Sequence, residues 1–102
     1  MFNKKYATCI KWGHNEFGEY YDKCFISYST PEVEKYDGFN MVGRGGDDGI
    51  EYTVSDTLEE ALVTCNYNPN YITFDISEED LKLKDQILKK YMWDKEKGLV
   101  KR

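Results

Sequence analysis

Residues 6–28 commit the chain to antiparallel β structure. YATCIKW (6–12) alternates in character, and EYYDKCFISY (19–28) is aromatic and β-branched. Between them lies GHNEFG, where Gly13 and Gly18 supply turn chemistry. The two runs are expected to fold back on each other. In a symmetric register Lys11 faces Asp22, a favourable cross-strand pair, and Cys9 faces Cys24.

The rest of the chain extends that hairpin. Ser29-Thr30-Pro31 suits the start of a short helical turn, with Pro at its first position. Tyr36-Asp37-Gly38 reads as a turn and FNMV as a short strand. The loop GRGGDDG follows, and IEYTVS (50–55) places Ile50, Tyr52 and Val54 on one face, giving a second hairpin. DTLEEALVTC predicts a helix with Asp56 as N-cap, Glu59 completing a capping box and Leu58, Ala61, Leu62 and Cys65 as one apolar stripe. Pro69 ends it. YITFDIS (71–77) is a strand. A long last helix starts at the N-cap Ser77, with an apolar face of Leu81, Leu83, Ile87, Leu88, Tyr91 and Met92, and stops near Gly98. Glu78–Lys82, Asp80–Lys84 and Asp85–Lys89 are spaced as i,i+4 pairs. The order β-β-β-β-α-β-α predicts the α+β class: a mostly antiparallel sheet of four to five strands with two helices on one face.

A chain of 102 residues forms a single domain. No stretch approaches the roughly 20 apolar residues that cross a bilayer, and the first residues are too polar for a secretory signal. The cytoplasm is the expected compartment. The three cysteines are an odd count, unlike a disulfide framework. Cys9 and Cys24 read as opposed free thiols, with a redox pair as the alternative.

Charge is the feature that points beyond a plain globular domain. From His14 to Asp80 there are sixteen acids and three bases, Lys23, Lys35 and Arg44. Both ends are basic. Such acidity often accompanies disorder, but a composition of 40% hydrophobic and 16% aromatic residues favours folding and therefore a fixed field.

No strong catalytic motif is present, so no enzymatic activity and no cofactor are expected. Asp47, Asp48 and Glu51 lack the alternating spacing of a calcium loop, and the glycines lack the Lys-Ser/Thr and following helix of a phosphate loop. His14 with Cys9, Cys24 and Cys65 matches no compact zinc pattern. Capping accounts for Glu59-Glu60 and Glu78-Glu79. Gly45-Gly46-Asp47-Asp48 is similar to the Gly-Gly-Asp/Glu-Glu-Phe turn of diguanylate cyclases. That resemblance spans about five residues and would give the glycines to a nucleotide and the acids to metal. Gly49 stands where the family has Phe, and the upstream metal-binding strand is missing. The loop reads as a solvated turn whose acids matter as surface charge.

In size, acidity, Tyr content and lack of catalytic motif the whole chain resembles small phage-encoded inhibitors of host defence, including anti-CRISPR and anti-restriction proteins. The resemblance is one of overall character. It implies a protein whose carboxylates imitate phosphates and whose Tyr rings imitate bases. The partner would be the basic groove of a nucleic-acid-binding protein, a CRISPR effector nuclease among them, with no direct nucleic-acid contact and no membrane. The expected contact residues are Asp47, Asp48 and Glu51, then Glu32, Glu34, Tyr36, Asp37, Glu16 and Glu19. A monomer or a homodimer fits. The alternative is a structural or regulatory subunit of a homo-oligomer.

Overall fold

The computed structural model describes residues 4–102. Strands β1 (Tyr6–His14) and β2 (Tyr20–Tyr28) form the first hairpin. Its turn is set by Asn15, whose side-chain oxygen accepts from the backbone N–H groups of Phe17 (2.9 Å) and Glu19 (3.0 Å). Gly18 sits at φ +77°, so three residues lie between the paired Asn15 and Glu19, in a turn closed by a glycine bulge. That odd-numbered loop shifts the register from the symmetric one. Lys11 faces Lys23, Trp12 faces Asp22, and Cys9 faces Phe25. The predicted Lys11–Asp22 and Cys9–Cys24 pairs are therefore absent.

Helix α1 (Pro31–Glu34) begins as the sequence predicts, with Thr30 accepting from the Val33 N–H. Strand β3 (Asn40–Val42) and strand β4 (Gly49–Ser55) make the second hairpin around the glycine loop. β4 then pairs antiparallel with β1. Helix α2 (Leu58–Cys65) buries all four residues of the expected stripe. Its N-cap is Thr57, one residue later than predicted. Thr57 accepts from the Glu60 N–H at 3.0 Å, and Glu60 reaches back to the Asp56 N–H at 3.3 Å. Strand β5 (Ile72–Asp75) joins β2 in parallel. The result is a five-stranded, mostly antiparallel sheet in the order β3-β4-β1-β2-β5.

Helix α3 runs from Glu78 to Lys90, with Ser77 capping as expected. It ends earlier than the sequence suggests. Tyr91 is extended (φ −126°, ψ 151°) and opens β6 (Tyr91–Asp94), so Tyr91 and Met92 do not extend the helical face. Gly98 is the first residue of β7 (Gly98–Lys101). Asp94 sets this turn by accepting from the N–H groups of Glu96 and Lys97, both at 2.8 Å. The β1–β2 and β6–β7 turns thus each begin with a side-chain oxygen that takes over backbone donors. The fold has the predicted α+β class with a further two-stranded sheet and a one-turn helix.

Strand alternation assigns the two faces. Tyr6, Thr8 and Ile10 point with Cys24 and Ile26 toward α2 and α3, where Leu58, Ala61, Leu62, Cys65, Ile72 and Ile87 complete the core. Thr8 brings a hydroxyl there that has no hydrogen-bond partner among the described residues. The other face carries Cys9, Lys11, Phe25, Lys23, Ile50 and Tyr52. Tyr36 and Phe39 pack against Tyr52, with ring centroids 6.0 and 6.2 Å from it.

Candidate functional site

The glycine loop is a self-contained turn. Its ends are tied by the Gly43 N–H to the Asp48 carbonyl at 2.7 Å, and the Gly46 N–H donates to the Gly43 carbonyl at 3.0 Å. Gly45 and Gly46 take positive φ. Gly43 leaves room for another group: a Cβ there would fall 1.7 Å from the Asp48 carboxylate, which would have to turn away. Asp48 also lies against Gly13, so the loop is seated on the far end of β1. No group of three metal-type ligands occurs among the described residues.

The acidic candidates divide between the two ends of the sheet. Asp47 and Asp48 lie at the end reached by Trp12 and Gly49, beside the first hairpin turn that carries Glu16 and Glu19. Glu32, Glu34, Tyr36 and Asp37 lie toward the opposite end, where Tyr6, Tyr28 and Ser55 align. Two contacts place them there. Lys5 pairs with Glu34 at 3.6 Å, and Asp37 accepts from the Val54 N–H at 2.8 Å. The ends are separated by eight strand steps, about 25 Å. Glu51 lies between them on β4. The nine expected contact residues are thus spread over both ends of the sheet and do not form one continuous region.

The Tyr6/Tyr28 end gathers acids that the sequence reading assigned to capping or passed over. Residues 4–5, 29–37, 56–60 and 75–80 meet there. They hold ten acids (Glu32, Glu34, Asp37, Asp56, Glu59, Glu60, Asp75, Glu78, Glu79, Asp80) against Lys4, Lys5 and Lys35. Only two of the ten stand in ion pairs among the described residues, Glu34 with Lys5 and Asp80 with Lys4. None of the three anticipated helical pairs forms. Asp80 turns to Lys4 at 3.2 Å, and Lys84 pairs with its neighbour Asp85 at 3.1 Å.

Several of these carboxylates have internal work. Asp80 is buried and accepts from the Tyr28 hydroxyl and from Lys4. The Tyr28 bond, reinforced by Lys4, holds its carboxyl below the usual range against the opposing effect of burial. Glu59 accepts from the Tyr91 hydroxyl at 2.5 Å, which raises the phenol's pKa. Glu60 accepts a backbone N–H. Glu32, Asp56, Asp75, Glu78 and Glu79 make no side-chain hydrogen bond or ion pair among the described residues, and all five are exposed. The signal for this grouping is absent from local sequence, because strand register and the parallel placement of β5 create it.

These features define an α+β domain with one carboxylate-rich end and with α2 and α3 packed on one face of the sheet. No protein-family model matches the chain, and no curated protein or solved structure shows significant similarity to it. No helix among the described residues is long and apolar enough to cross a membrane.

Proposed function

We propose that the protein is an acidic binding inhibitor. It occupies the basic nucleic-acid-binding groove of a nuclease or another DNA- or RNA-handling protein, and a CRISPR effector belongs to that class. The supporting observation is the excess of ten acids over three lysines in the segments at the Tyr6/Tyr28 end, with two ion pairs between them. Glu32, Asp56, Asp75, Glu78 and Glu79 are the free carboxylates that would stand in for phosphates. Glu34 and Asp37 flank them. Asp47, Asp48, Glu16 and Glu19 form a second, smaller acidic site at the other end. Long-range attraction to a cationic groove would make association fast and sensitive to salt.

The test is competition. Nucleases with basic grooves, CRISPR effectors included, are assayed for cleavage and for oligonucleotide binding with and without the protein. Inhibition should weaken as salt rises. The triple variant Glu32→Lys, Asp75→Lys and Glu79→Lys should lose it, while Asp47→Lys with Asp48→Lys should lose less. Equal inhibition by all variants would reject the acidic end as the contact surface.

A second reading, a subunit of a homo-oligomer, is favoured by the exposed apolar residues around β3. Phe39, Met41 and Val42 are exposed there, the last two at 55%. Sedimentation separates the readings: a concentration-independent monomer supports the inhibitor, and a stable dimer supports the subunit.

A further inference from the structure

The three cysteines occupy two separate environments. Cys9 lies on the face of the sheet turned away from α2 and α3, opposite Phe25 and Tyr52. Cys24, on β2, and Cys65, the last residue of α2, lie on the other face. They are 1% and 6% exposed, and their Sγ atoms are 2.8 Å apart. This is the separation of a hydrogen-bonded nitrogen and oxygen. Sulfur is the larger atom, so the two thiols are pressed together with nothing between them. The sheet itself separates Cys9 from both. The pairing suggested by the symmetric hairpin register, Cys9 with Cys24, is thus replaced by a pairing across the core.

We propose that Cys24 and Cys65 close into an intrachain disulfide when the chain meets a disulfide oxidant such as oxidised glutathione, and that this bond clamps α2 to β2. One thiolate attacks the oxidant and forms a mixed disulfide, releasing one reduced glutathione. The second thiolate attacks the protein sulfur of that mixed disulfide and releases the other. Two protons leave the protein, its two sulfurs lose two electrons, and the oxidant's sulfurs gain them. Cys9 remains a thiol.

The closed structure restrains the first step. The Cys65 contact and burial push the Cys24 thiol's pKa up, and a thiol reacts only as its thiolate. No oxidant reaches two side chains this buried. Closure therefore runs during folding, or when α2 lifts from the sheet, and oxidation of the folded protein is slow. Once made, the bond closes a loop between positions 41 apart. A loop of that length removes substantial freedom from the unfolded chain. The free carboxylates flanking α2 would be held in place with the helix.

The experiment refolds the chain in a buffer of oxidised and reduced glutathione, then counts thiols after denaturation and maps disulfide-linked peptides. The expected product has lost two hydrogens, retains Cys9 as its single alkylatable thiol and contains a Cys24–Cys65 link. Its melting temperature should exceed that of the reduced protein by about 10–15 °C, and a thiol reductant should reverse the gain. Cys9→Ser should form the same bond to the same extent. Cys24→Ser and Cys65→Ser should not form it. Three free thiols in wild-type protein refolded under these conditions would overturn the proposal, as would a link involving Cys9. A Cys24–Cys65 link that leaves the melting temperature unchanged would overturn the clamp.

Discussion

Asp80 and Tyr28 allow a quantitative test of how β2 is joined to α3. The Asp80 side chain is only 12% exposed, yet it carries a charge. The Tyr28 hydroxyl donates to it, and Lys4 lies 3.2 Å away while also standing 5.0 Å above the Tyr28 ring. The Ser77 hydroxyl and N–H are each 2.9 Å from the Tyr28 oxygen. With its one proton committed to the carboxylate, that oxygen accepts from Ser77. Tyr28→Phe removes one hydrogen bond to a charged group, worth about 1.5–3 kcal/mol, and also takes away the acceptor of the more exposed Ser77 hydroxyl and N–H. We expect a loss of about 2 kcal/mol, or about 8–10 °C for a domain of this size. Asp80→Asn should cost a similar amount. Because the two residues share the bond, the double variant should fall short of the sum by about 1 kcal/mol or more. The pH dependence follows from the lowered carboxyl pKa. The unfolded chain releases this proton near the ordinary aspartate value of 3.8, and the folded chain releases it at a lower pH. The charge therefore contributes fully above the unfolded value, and its contribution is lost as pH falls through the folded one. Urea unfolding of wild type and Asp80→Asn, followed by circular dichroism, should show a constant gap from about pH 8 to 5 that narrows below about pH 4. A gap that persists unchanged in acid, or strict additivity with Tyr28→Phe, would refute this account.

Other positions give simpler tests by the same unfolding assay. Thr8→Val should stabilise the protein by about 1 kcal/mol, because it removes a buried hydroxyl without a partner among the described residues. Ile26, fully buried at 0% exposure, should cost about 3–4 kcal/mol when cut to Ala. Gly49→Ala should cost about 2–3 kcal/mol, since its Cβ would fall 2.3 Å from the Trp12 ring and 2.7 Å from the Met41 carbonyl. Thr57→Ala should cost about 1 kcal/mol and Asp56→Ala less than about half of that, which separates the observed N-cap from the predicted one.

Local chemistry made much of the fold readable. The α2 stripe, Pro31 at the start of a turn, Ser77 as a cap and the β3–β4 hairpin all follow from spacing of a few residues. Misreadings came where one residue decides between two periods. Gly18 adds a bulge that slides β2 past β1 by one place and opposes Lys11 to Lys23. Tyr91 and Met92 continue a helical apolar pattern, yet they head a strand, YMW, that pairs with Lys101, Val100 and Leu99 instead. The candidate site was less legible. Asp56, Asp75, Glu78 and Glu79 are scattered along the chain, and only the strand register brings them to the end that holds Glu32. The Cys24–Cys65 contact depends in turn on the end of α2 reaching β2, which no spacing encodes.

The parallel strand at the sheet's margin has a kinetic consequence. β5 makes only four pairs, all with β2 and 48 positions apart in sequence, and it stands at the edge of the sheet. The β1–β4 ladder closes a comparable loop, Tyr6 and Ser55 being 49 positions apart, but it does so with seven pairs; the shorter β5 ladder is deferred until the hairpins and α2 give it a surface to dock on. β5 is then the last ribbon to settle and the first to detach. Deuterium should enter the amides of Thr73 and Asp75 well before it enters those of β1, which is enclosed by a strand on either side.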